Sequence, residues 1–337
     1  MDYEVNTMKE IEAQIKAGNF KPVYLLYGEE RYLVKHYEKY LSNAVIAGGE
    51  LYMNLDILEG KEFSTAKAVD IATTAPFFAD KRTLILRDTG LFESGKKSES
   101  EAMNEFLKNV PESTVIIFVE SKVDKRSSLY KNVSKLGAAY EFIELKENEL
   151  SEWASRHFKS YGAAIDIKDI YYLIRRVGCD MGSLASEIQK LTLYKGEGNV
   201  VTASDIDNIC KKSLELNIFE LVDAAATKNA GLALNIFNNL LLMKESPIMI
   251  IAMIARQFRL ILQCKTLNDK GLNSPEIAQK TGLRSFMIAD CMRQSYNFSN
   301  EKLQGVIKSC LETDLNIKTG KMADVLAVEM LILKVCS

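Results

Sequence analysis

The sequence predicts an α/β domain followed by two all-helical domains. Up to about residue 145, apolar runs typical of strands alternate with amphipathic runs typical of helices, and the runs 23–27 and 114–119 are almost wholly apolar. Strands of that kind are typical of a parallel sheet that helices cover on both faces. Beyond Lys146 strand signals are few, and a chain of 337 residues exceeds the usual size of one core. We therefore expect domains at 1–145, 146–212 and 213–337.

The first domain is predicted to alternate five strands with four helices. The strands fit residues 23–27, 52–58, 83–86, 114–119 and 140–145, and the helices fit 31–45, 64–73, 100–110 and 127–136. Gly48 and Gly49 interrupt the pattern after the first of these helices. Strand and helix repeated in this order predict a mostly parallel sheet.

Capping residues divide the remainder of the chain into helices. Asn148, Asp166 and the capping-box pattern 202–205 each precede a helical run, another run spans 181–194, and Gly162 and Gly178 end two of them. In the last domain, Ser246-Pro247 and Ser274-Pro275 each read as an N-cap followed by a proline at the first helical position.

The last domain also carries more long aliphatic side chains than a small bundle buries internally, which predicts an assembly surface within 213–337. The residues in question are Leu232, Leu234, Ile236, Phe237, Leu240, Leu241 and 248–254.

The turn after the first strand lies where α/β folds bind phosphate. Gly28 is followed by Glu29, Glu30 and Arg31, whereas a P-loop needs a second glycine, a lysine and a Ser/Thr hydroxyl. Two carboxylates at a helix start suit the helix dipole but repel a triphosphate. We interpret this turn as a degenerate nucleotide site.

Two alternative readings remain open from the residues. The stretch from Gly90 to Gly95-Lys96 matches G-x-x-x-x-G-K, although Lys97 replaces the magnesium-binding hydroxyl, so an ATPase using this loop is one alternative. The segment 274–282, followed by a helix at 284–294, has the rhythm of a helix-turn-helix, so a DNA-binding protein is the other. Arg256 and Arg259, on the helix that begins at Pro247, are candidates for contact with phosphate or with acidic partners.

Composition narrows the class of protein. The chain is 47% apolar and 26% charged with a formal net charge of −2, which argues against gripping nucleic acid by bulk charge. The first 13 residues lack the apolar core of a signal peptide, and the longest apolar run, 247–255, is short for a membrane span, so we expect a cytoplasmic protein without membrane contact. Six scattered cysteines and two histidines predict no metal site and no cofactor.

Several short segments, in order along the chain, together resemble a known family. They are 22–30, 76–82, 184–191 with Tyr194, 218–221 with Asp223 and Ala224, 255–259, and 314–320. In their order and spacing they resemble the delta subunit of the bacterial DNA polymerase III clamp loader, over almost the full length from Met8. Residues 1–7 precede this resemblance and read as an extension or an upstream start.

The resemblance implies an AAA+-like module at 1–145, a helical lid at 146–212 and a collar at 213–337. It implies a subunit that opens the ring-shaped beta sliding clamp without hydrolysing ATP, in a complex with the ATPase tau/gamma subunits, delta prime and primer-template DNA. Lys318, inside the segment 314–320, joins Arg256 and Arg259 as a possible contact with DNA or a partner.

By the same resemblance, Phe77 and Phe78, which follow Pro76, insert into a pocket on the clamp. Asp80, Lys81 and Arg82 are then expected to form a polar rim. From the residues alone, the alternative is that both aromatic rings belong to the core at the edge of the sheet.

Overall fold

A computed structural model describes residues 3–46, 50–196 and 198–337. The chain divides into two compact units, 1–145 and 146–337. Gly48 and Gly49, at which the sequence predicts a break, lie outside the described residues. The finer division of the second unit at residue 212 stays a prediction.

The first unit is built on a five-stranded parallel sheet in the order β2-β3-β4-β1-β5. The strands are β1 (Val23–Tyr27), β2 (Leu55–Glu59), β3 (Arg82–Arg87), β4 (Thr114–Glu120) and β5 (Ala138–Glu141). The central pairing sets Val23 of β1 against Ile116 of β4, and neighbouring strands of this sheet run parallel throughout. The predicted α/β class is therefore confirmed.

Six helices accompany the sheet: α1 (Tyr3–Ala17), α2 (Arg31–Val45), α3 (Leu51–Asn54), α4 (Thr65–Thr73), α5 (Lys97–Phe106) and α6 (Ser128–Leu136). Alternate side chains of a strand point to opposite faces. Val23, Leu25 and Tyr27 share a buried cluster with residues of α4, α5 and α6. On the other face, Tyr24 donates a hydrogen bond to Gln14 of α1 at 3.2 Å. Helices thus cover both faces of the sheet, as the apolar strands require.

Three element predictions in this unit need correction. The segment 52–54 is helical and not strand, because Asn54 uses its side chain to bond the backbone of Glu50 and so closes a short helix. The last strand ends at Glu141, four residues before the predicted end. The helix predicted at 100–110 begins at Lys97 and ends at Phe106, and a 3₁₀ helix continues it from Leu107 to Asn109. Helix α1 has no counterpart among the predicted elements, and it includes residues 3–7, which the sequence predicts to be an extension.

The second unit is helical apart from a short parallel pair, β6 (Ala164–Ile165) and β7 (Val200–Val201), which the sequence did not predict. Its first helices are α7 (Glu147–Ser160), α8 (Ile167–Val177), α9 (Met181–Lys195) and α10 (Ala203–Ile209). The remaining helices are α11 (Leu214–Ala226), α12 (Ala230–Leu242), α13 (Pro247–Asp269), α14 (Ser274–Thr281), α15 (Ser285–Ser295), α16 (Asn300–Lys318) and α17 (Asp324–Cys336).

Most of the predicted caps occupy the positions expected of them. Asp166 and Thr202 are N-caps, and Ser246 precedes Pro247 at the start of α13. Two predictions shift, since Lys146 caps α7 in place of Asn148 and Asn273 caps α14 in place of Ser274. Each shift lengthens the helix by one or two residues at its start.

Helix α13 is long and apolar enough to cross a membrane by length and composition alone. Its buried residues, among them Ile250, Ile254, Phe258 and Ile261, belong to the core of the helical bundle. Core helices of soluble proteins have the same composition, so this single helix is weak evidence of a membrane span.

Candidate functional site

The turn between β1 and α2 is three residues long, Gly28–Glu30, and we call it the closed turn. Gly28 has φ of +127°, and a Cβ atom added there would lie 2.1 Å from the carbonyl oxygen of Phe142. The backbone N–H of Glu30 donates to that same oxygen at 3.0 Å, and Phe142 N–H donates to the Tyr27 carbonyl at 2.7 Å. The segment after β5 therefore fills the space directly above the glycine.

Two further backbone donors at this helix start have partners within the chain. The Arg31 N–H donates to the Glu29 carbonyl at 2.9 Å, and the Tyr32 N–H donates to the Glu30 carboxylate at 3.1 Å. The Arg31 guanidinium donates to the Glu120 carbonyl at 3.2 Å. Phosphate binding at a helix start depends on backbone N–H groups that point at the ligand. Three of these N–H groups, those of Glu30, Arg31 and Tyr32, are bonded to protein atoms, which disfavours a phosphate here.

The loop between β3 and α5 contains the near P-loop motif and is anchored in the core. Leu91 and Phe92 are buried, with 1% and 0% of their surface exposed. The Lys96 ammonium lies 3.9 Å from a Glu99 carboxylate oxygen and 5.8 Å from the centre of the Phe63 ring. A phosphate-binding loop wraps its backbone around the ligand, whereas this loop turns two of its side chains inward.

Glu120 ends β4 beside that loop and is almost fully buried, with 1% of its surface exposed. Its carboxylate accepts from the Thr89 N–H at 3.0 Å, from the Thr89 hydroxyl, and from the Gly90 N–H at 3.4 Å. Burial raises the pKa of Glu120 to about 7, and these hydrogen bonds oppose part of that rise. The carboxyl group therefore holds the start of the loop.

Phe77 and Phe78 lie on the loop that joins α4 to β3, and we call this pair the phenylalanine tip. Phe77 is 49% exposed and Phe78 is 88% exposed, so neither ring is part of the core. The two ring centres are 4.6 Å apart in an edge-to-face arrangement. Phe78 adopts φ of +47°, a left-handed conformation that is costly for a residue with a side chain. Pro76, half-buried, precedes the pair outside any regular element.

Two side chains hold the backbone of this loop. Asn54, with no exposed surface, accepts from the Phe77 N–H at 2.7 Å and donates to the Phe77 carbonyl at 2.9 Å. Arg82 donates to the Thr74 carbonyl at 3.0 Å and pairs with Asp56. Arg82 is only 6% exposed, so the expectation that it belongs to a polar rim is wrong. Its guanidinium is held inward because it closes the base of the loop.

Sequence reasoning missed Asn54 altogether, because it lay inside a predicted strand. The one available signal was that asparagine is unfavourable in strands. Its neighbours Tyr52 and Met53 are 94% and 61% exposed. Together with the phenylalanine tip they are the four most exposed large apolar side chains in the described part of the first unit.

The basic residues singled out in the second unit differ in their surroundings. Arg256 and Arg259 are exposed on α13. Lys318 is also exposed, but its ammonium forms an ion pair with Asp314 one helical turn earlier, at 2.8 Å. Part of the Lys318 charge is therefore neutralised within α16.

Helices α14 and α15 do form the helix pair that suggested DNA readout, with Gly282 in a left-handed conformation between them. The second helix faces the bundle, since Ile288, Cys291 and Gln294 are buried. Its exposed side pairs with acidic and basic groups of the same unit, through Arg175–Asp290 at 2.7 Å and Arg293–Asp223 at 2.8 Å. These contacts describe a packing helix and leave little of it to enter a groove of DNA.

The exposed apolar surface of the second unit lies partly elsewhere than the sequence suggested. Phe237, Leu240, Ile250 and Ile254 are buried in the core. Of the predicted set, Leu232, Ile248 and Met249 are 40–50% exposed. A stripe at helical spacing on α17 is 43–55% exposed, and two residues one turn apart on α16 are 57–68% exposed. The residues are Leu326, Met330 and Leu333 on α17, and Leu311 and Leu315 on α16.

Fold and site together define a class of protein. A parallel sheet in the order β2-β3-β4-β1-β5, with helices on both faces and a closed first turn, is joined along the chain to a set of helices. This is an AAA+-like architecture.

Comparison with known proteins identifies the family. The family described as "DNA polymerase III, delta subunit" matches residues 24–144, and "DNA polymerase III delta subunit, C-terminal domain" matches 215–335. The chain is 30% identical to the DNA polymerase III subunit delta of Bacillus subtilis, over 95% of this chain and 94% of that protein. It is 24% identical to the probable subunit delta of Aquifex aeolicus, over 87% and 81% of the two chains.

A solved structure agrees with these sequence comparisons. The Bacillus subtilis DNA clamp loader delta protein superposes with a TM-score of 0.70 at 29% identity, over 97% of this chain and 99% of that one. The chain belongs to the DNA polymerase III delta subunit family.

Proposed function

We propose that this chain binds the ring-shaped beta sliding clamp and opens it for loading on primed DNA, without hydrolysing ATP itself. It acts as a non-catalytic subunit of the polymerase holoenzyme, in the cytoplasm, beside ATPase subunits that supply the nucleotide cycle. The family assignment supports the general role, and two features of the first unit support the finer one.

The observation that carries the proposal is the phenylalanine tip. The two large apolar rings of this loop are 49% and 88% exposed. Their transfer from water into an apolar pocket of a partner would lower the free energy. Aromatic anchors in pockets dominate the energetics of many interfaces. Exposed Asp80 and half-exposed Lys81 remain beside the tip as polar neighbours that orient the encounter.

The closed turn supports the second half of the proposal. The N–H groups of Glu30, Arg31 and Tyr32 are bonded to protein atoms of the same unit, so fewer donors are left for a triphosphate. Of the two alternatives, the ATPase is not favoured because Leu91 and Phe92 of the near P-loop are buried in the core, and Lys97 stands where a magnesium-binding hydroxyl is needed. The helix-turn-helix reading is not favoured because α15 packs into the bundle.

The test is the double variant Phe77→Ala/Phe78→Ala, measured for affinity to the purified clamp and for thermal unfolding. A phenylalanine anchor is worth about 2 kcal/mol or more on truncation, so we expect affinity to fall by more than about tenfold. The unfolding temperature should stay close to that of the unchanged protein, because neither ring is buried.

A matched control is Leu242→Ala/Met243→Ala, which removes an exposed apolar pair, 82% and 50% exposed, at the end of α12 in the second unit. We expect this control to keep its clamp affinity. If the phenylalanine variant bound the clamp as well as the control does, the tip would not be the anchor. If it lost stability and affinity together, the rings would belong to the core.

A second proposal concerns assembly with the tau/gamma and delta prime subunits through residues 213–337. The exposed stripe of Leu326, Met330 and Leu333 favours this, because a continuous apolar stripe on a helix is typical of a docking face. We expect Leu326→Ser/Met330→Ser to weaken incorporation into the reconstituted loader, and Tyr296→Ser, at an isolated residue that is 82% exposed, to leave it unchanged. If the unchanged protein, Leu326→Ser/Met330→Ser and Tyr296→Ser were incorporated equally well, the proposal would be contradicted.

Contact with primer-template DNA is proposed for Arg256 and Arg259, and more weakly for Lys318 because it is already paired. In the assembled complex, Arg256→Ala/Arg259→Ala should lower DNA affinity and flatten its salt dependence, since each phosphate contact releases counterions. An unchanged salt dependence would remove both arginines from the DNA contact.

A further inference from the structure

One asparagine side chain serves the backbone of the phenylalanine tip. The Asn54 amide oxygen accepts from the Phe77 N–H at 2.7 Å, and its amide nitrogen donates to the Phe77 carbonyl at 2.9 Å. The same nitrogen donates to the Glu50 carbonyl at 3.1 Å. A primary amide carries a donor and an acceptor side by side, so it pairs with a residue's backbone as a neighbouring strand does. Both polar backbone groups of Phe77 are therefore satisfied by one side chain that has no exposed surface.

This pairing matters because the tip is held in a conformation that an isolated loop does not favour. Phe78 has φ of +47°, a left-handed conformation that is unfavourable for a residue other than glycine. Its ring is 88% exposed, so burial of that ring does not offset the cost. Strained backbone persists where the surrounding structure over-determines it, and here the bonds to Asn54 act on the adjacent residue.

The base of the loop is held from the same segment of chain. Arg82 donates to the Thr74 carbonyl at 3.0 Å and pairs with Asp56, which lies two residues after Asn54. Asn54 thus holds the loop beside its tip, and Asp56 holds the arginine that closes its base. The tie leaves the rings exposed while it removes freedom from their backbone.

Ordering a flexible loop on binding costs conformational entropy for each residue that becomes fixed, and this cost weakens the affinity. We propose that Asn54 is a positioning residue for clamp binding, and that it orders the phenylalanine tip before the partner arrives. This inference rests on the proposed clamp-binding role of the tip. Asn54 has no exposed surface, so its effect on clamp binding is transmitted by the backbone of Phe77.

The experiment compares Asn54→Ala and Asn54→Asp with the unchanged full-length chain, for affinity to the purified clamp and for thermal unfolding. Aspartate keeps the shape and the acceptor for the Phe77 N–H but loses both donated bonds at neutral pH. We expect clamp affinity to fall about tenfold in the alanine variant and by a smaller factor in the aspartate variant. The matched control is Asn217→Ala, which removes another buried amide, one that donates to the Ser213 carbonyl at 2.9 Å in the second unit.

Amide hydrogen exchange separates positioning from a general loss of structure. In the unchanged protein the Phe77 N–H is bonded and should exchange slowly, and in Asn54→Ala it should exchange much faster while Leu84 and Leu86 of β3 stay protected. Loss of protection throughout β3 would mean that Asn54 supports the fold as a whole, which would overturn the proposal.

A double-mutant cycle with Phe78→Ala gives the decisive readout. If Asn54 acts by presenting the rings, its removal should matter less once one ring is gone, so the effect of Asn54→Ala should shrink from about tenfold to less than threefold. The same tenfold loss in both backgrounds would overturn the proposal. Unchanged affinity in Asn54→Ala, together with lost affinity in Phe77→Ala/Phe78→Ala, would reject the inference and leave the proposed function standing. Unchanged affinity in the phenylalanine variant would reject the proposed function itself.

Discussion

The closed turn and the phenylalanine tip lie at opposite edges of one parallel sheet, and they use their backbones in opposite ways. The closed turn follows the carboxyl end of β1, the edge where α/β proteins commonly bind ligands. The tip's loop enters the amino end of β3. At the carboxyl end of β1, the backbone of the closed turn bonds to the backbone of Phe142, and no N–H of Glu30 is left for a ligand. At the second edge, a side chain from α3 satisfies the backbone of Phe77, and two rings are presented to solvent.

The difference shows how one sheet can combine a degenerate nucleotide site, at the closed turn, with an exposed site proposed for partner binding, at the phenylalanine tip. In the closed turn the Phe142 carbonyl lies directly against Gly28. It accepts from the Glu30 N–H, a donor that a phosphate at this helix start would need. A longer loop, tied at its base by Arg82 and beside its tip by Asn54, frees two side chains from packing. The following experiments break or sharpen this contrast, in order of decreasing effect.

The largest effect is expected at the closed turn, from Gly28→Ala. The new Cβ atom would lie 2.1 Å from the Phe142 carbonyl oxygen, at φ of +127°, so the backbone of the turn or of Phe142 would have to shift. We expect a loss of about 4 kcal/mol or more in the free energy of unfolding, measured by urea denaturation. Gly60→Ala is the control, since its φ is +52° and nothing lies within 4 Å, and it should cost about 1 kcal/mol. Equal costs would mean that the turn is not closed by Phe142.

The second experiment follows the stability of Glu120→Gln against pH at the same sheet edge. The folded state raises the pKa of Glu120 from 4.5 to about 7, so between these values the folded protein binds the proton more tightly than the unfolded chain. Stability from this group is therefore greatest below pH 4.5 and falls as pH rises to about 7, by roughly 3 kcal/mol in total.

Glutamine does not titrate, so the difference in unfolding free energy between variant and unchanged protein should move in favour of the variant between pH 5 and pH 8. Denaturation curves at the two pH values measure this difference, and other titrating groups cancel because they occur in both proteins. A difference that stays constant with pH would show that Glu120 is ionised throughout this range.

A smaller effect, of opposite sign, is expected at the phenylalanine tip from Phe78→Gly. Glycine adopts φ of +47° without steric cost, so the variant should gain about 1 kcal/mol in unfolding free energy or lose nothing, although it loses a large side chain. The same variant should bind the clamp more weakly. Stability and clamp affinity would then change in opposite directions at one residue, whereas at Gly28 substitution lowers stability alone. A destabilised variant would place the Phe78 ring in the core.

No effect is expected from nucleotide. A ligand that binds only the folded state raises its unfolding temperature by mass action. Because we expect no nucleotide to bind, millimolar ATP with magnesium should leave the thermal unfolding temperature of the isolated protein unchanged. Lys96→Ala should behave in the same way. An increase in unfolding temperature with ATP that disappears in Lys96→Ala would favour the ATPase alternative and would contradict the contrast between the two edges.

Much of the architecture followed from the sequence alone. The strands at 23–27 and 114–119, the helix at 31–45 and the caps at Asp166 and Thr202 were predicted because apolar period and capping chemistry are local. The absence of a lysine and a hydroxyl after Gly28 could also be recognised from the sequence, since a phosphate site requires particular residue types at fixed spacing. The family resemblance came from the same short segments.

The tertiary structure decided what those segments do. Asn54 bonds to Phe77, 23 residues away, and the Phe142 carbonyl closes the turn at Gly28; neither contact leaves a period or spacing in the sequence. The burial of Arg82 and of Phe237, and the exposure of Tyr52 and Leu326, were decided in the same way. Whether a side chain is buried depends on which distant element packs over it. A local apolar pattern indicates only that a face is covered, and not which element covers it.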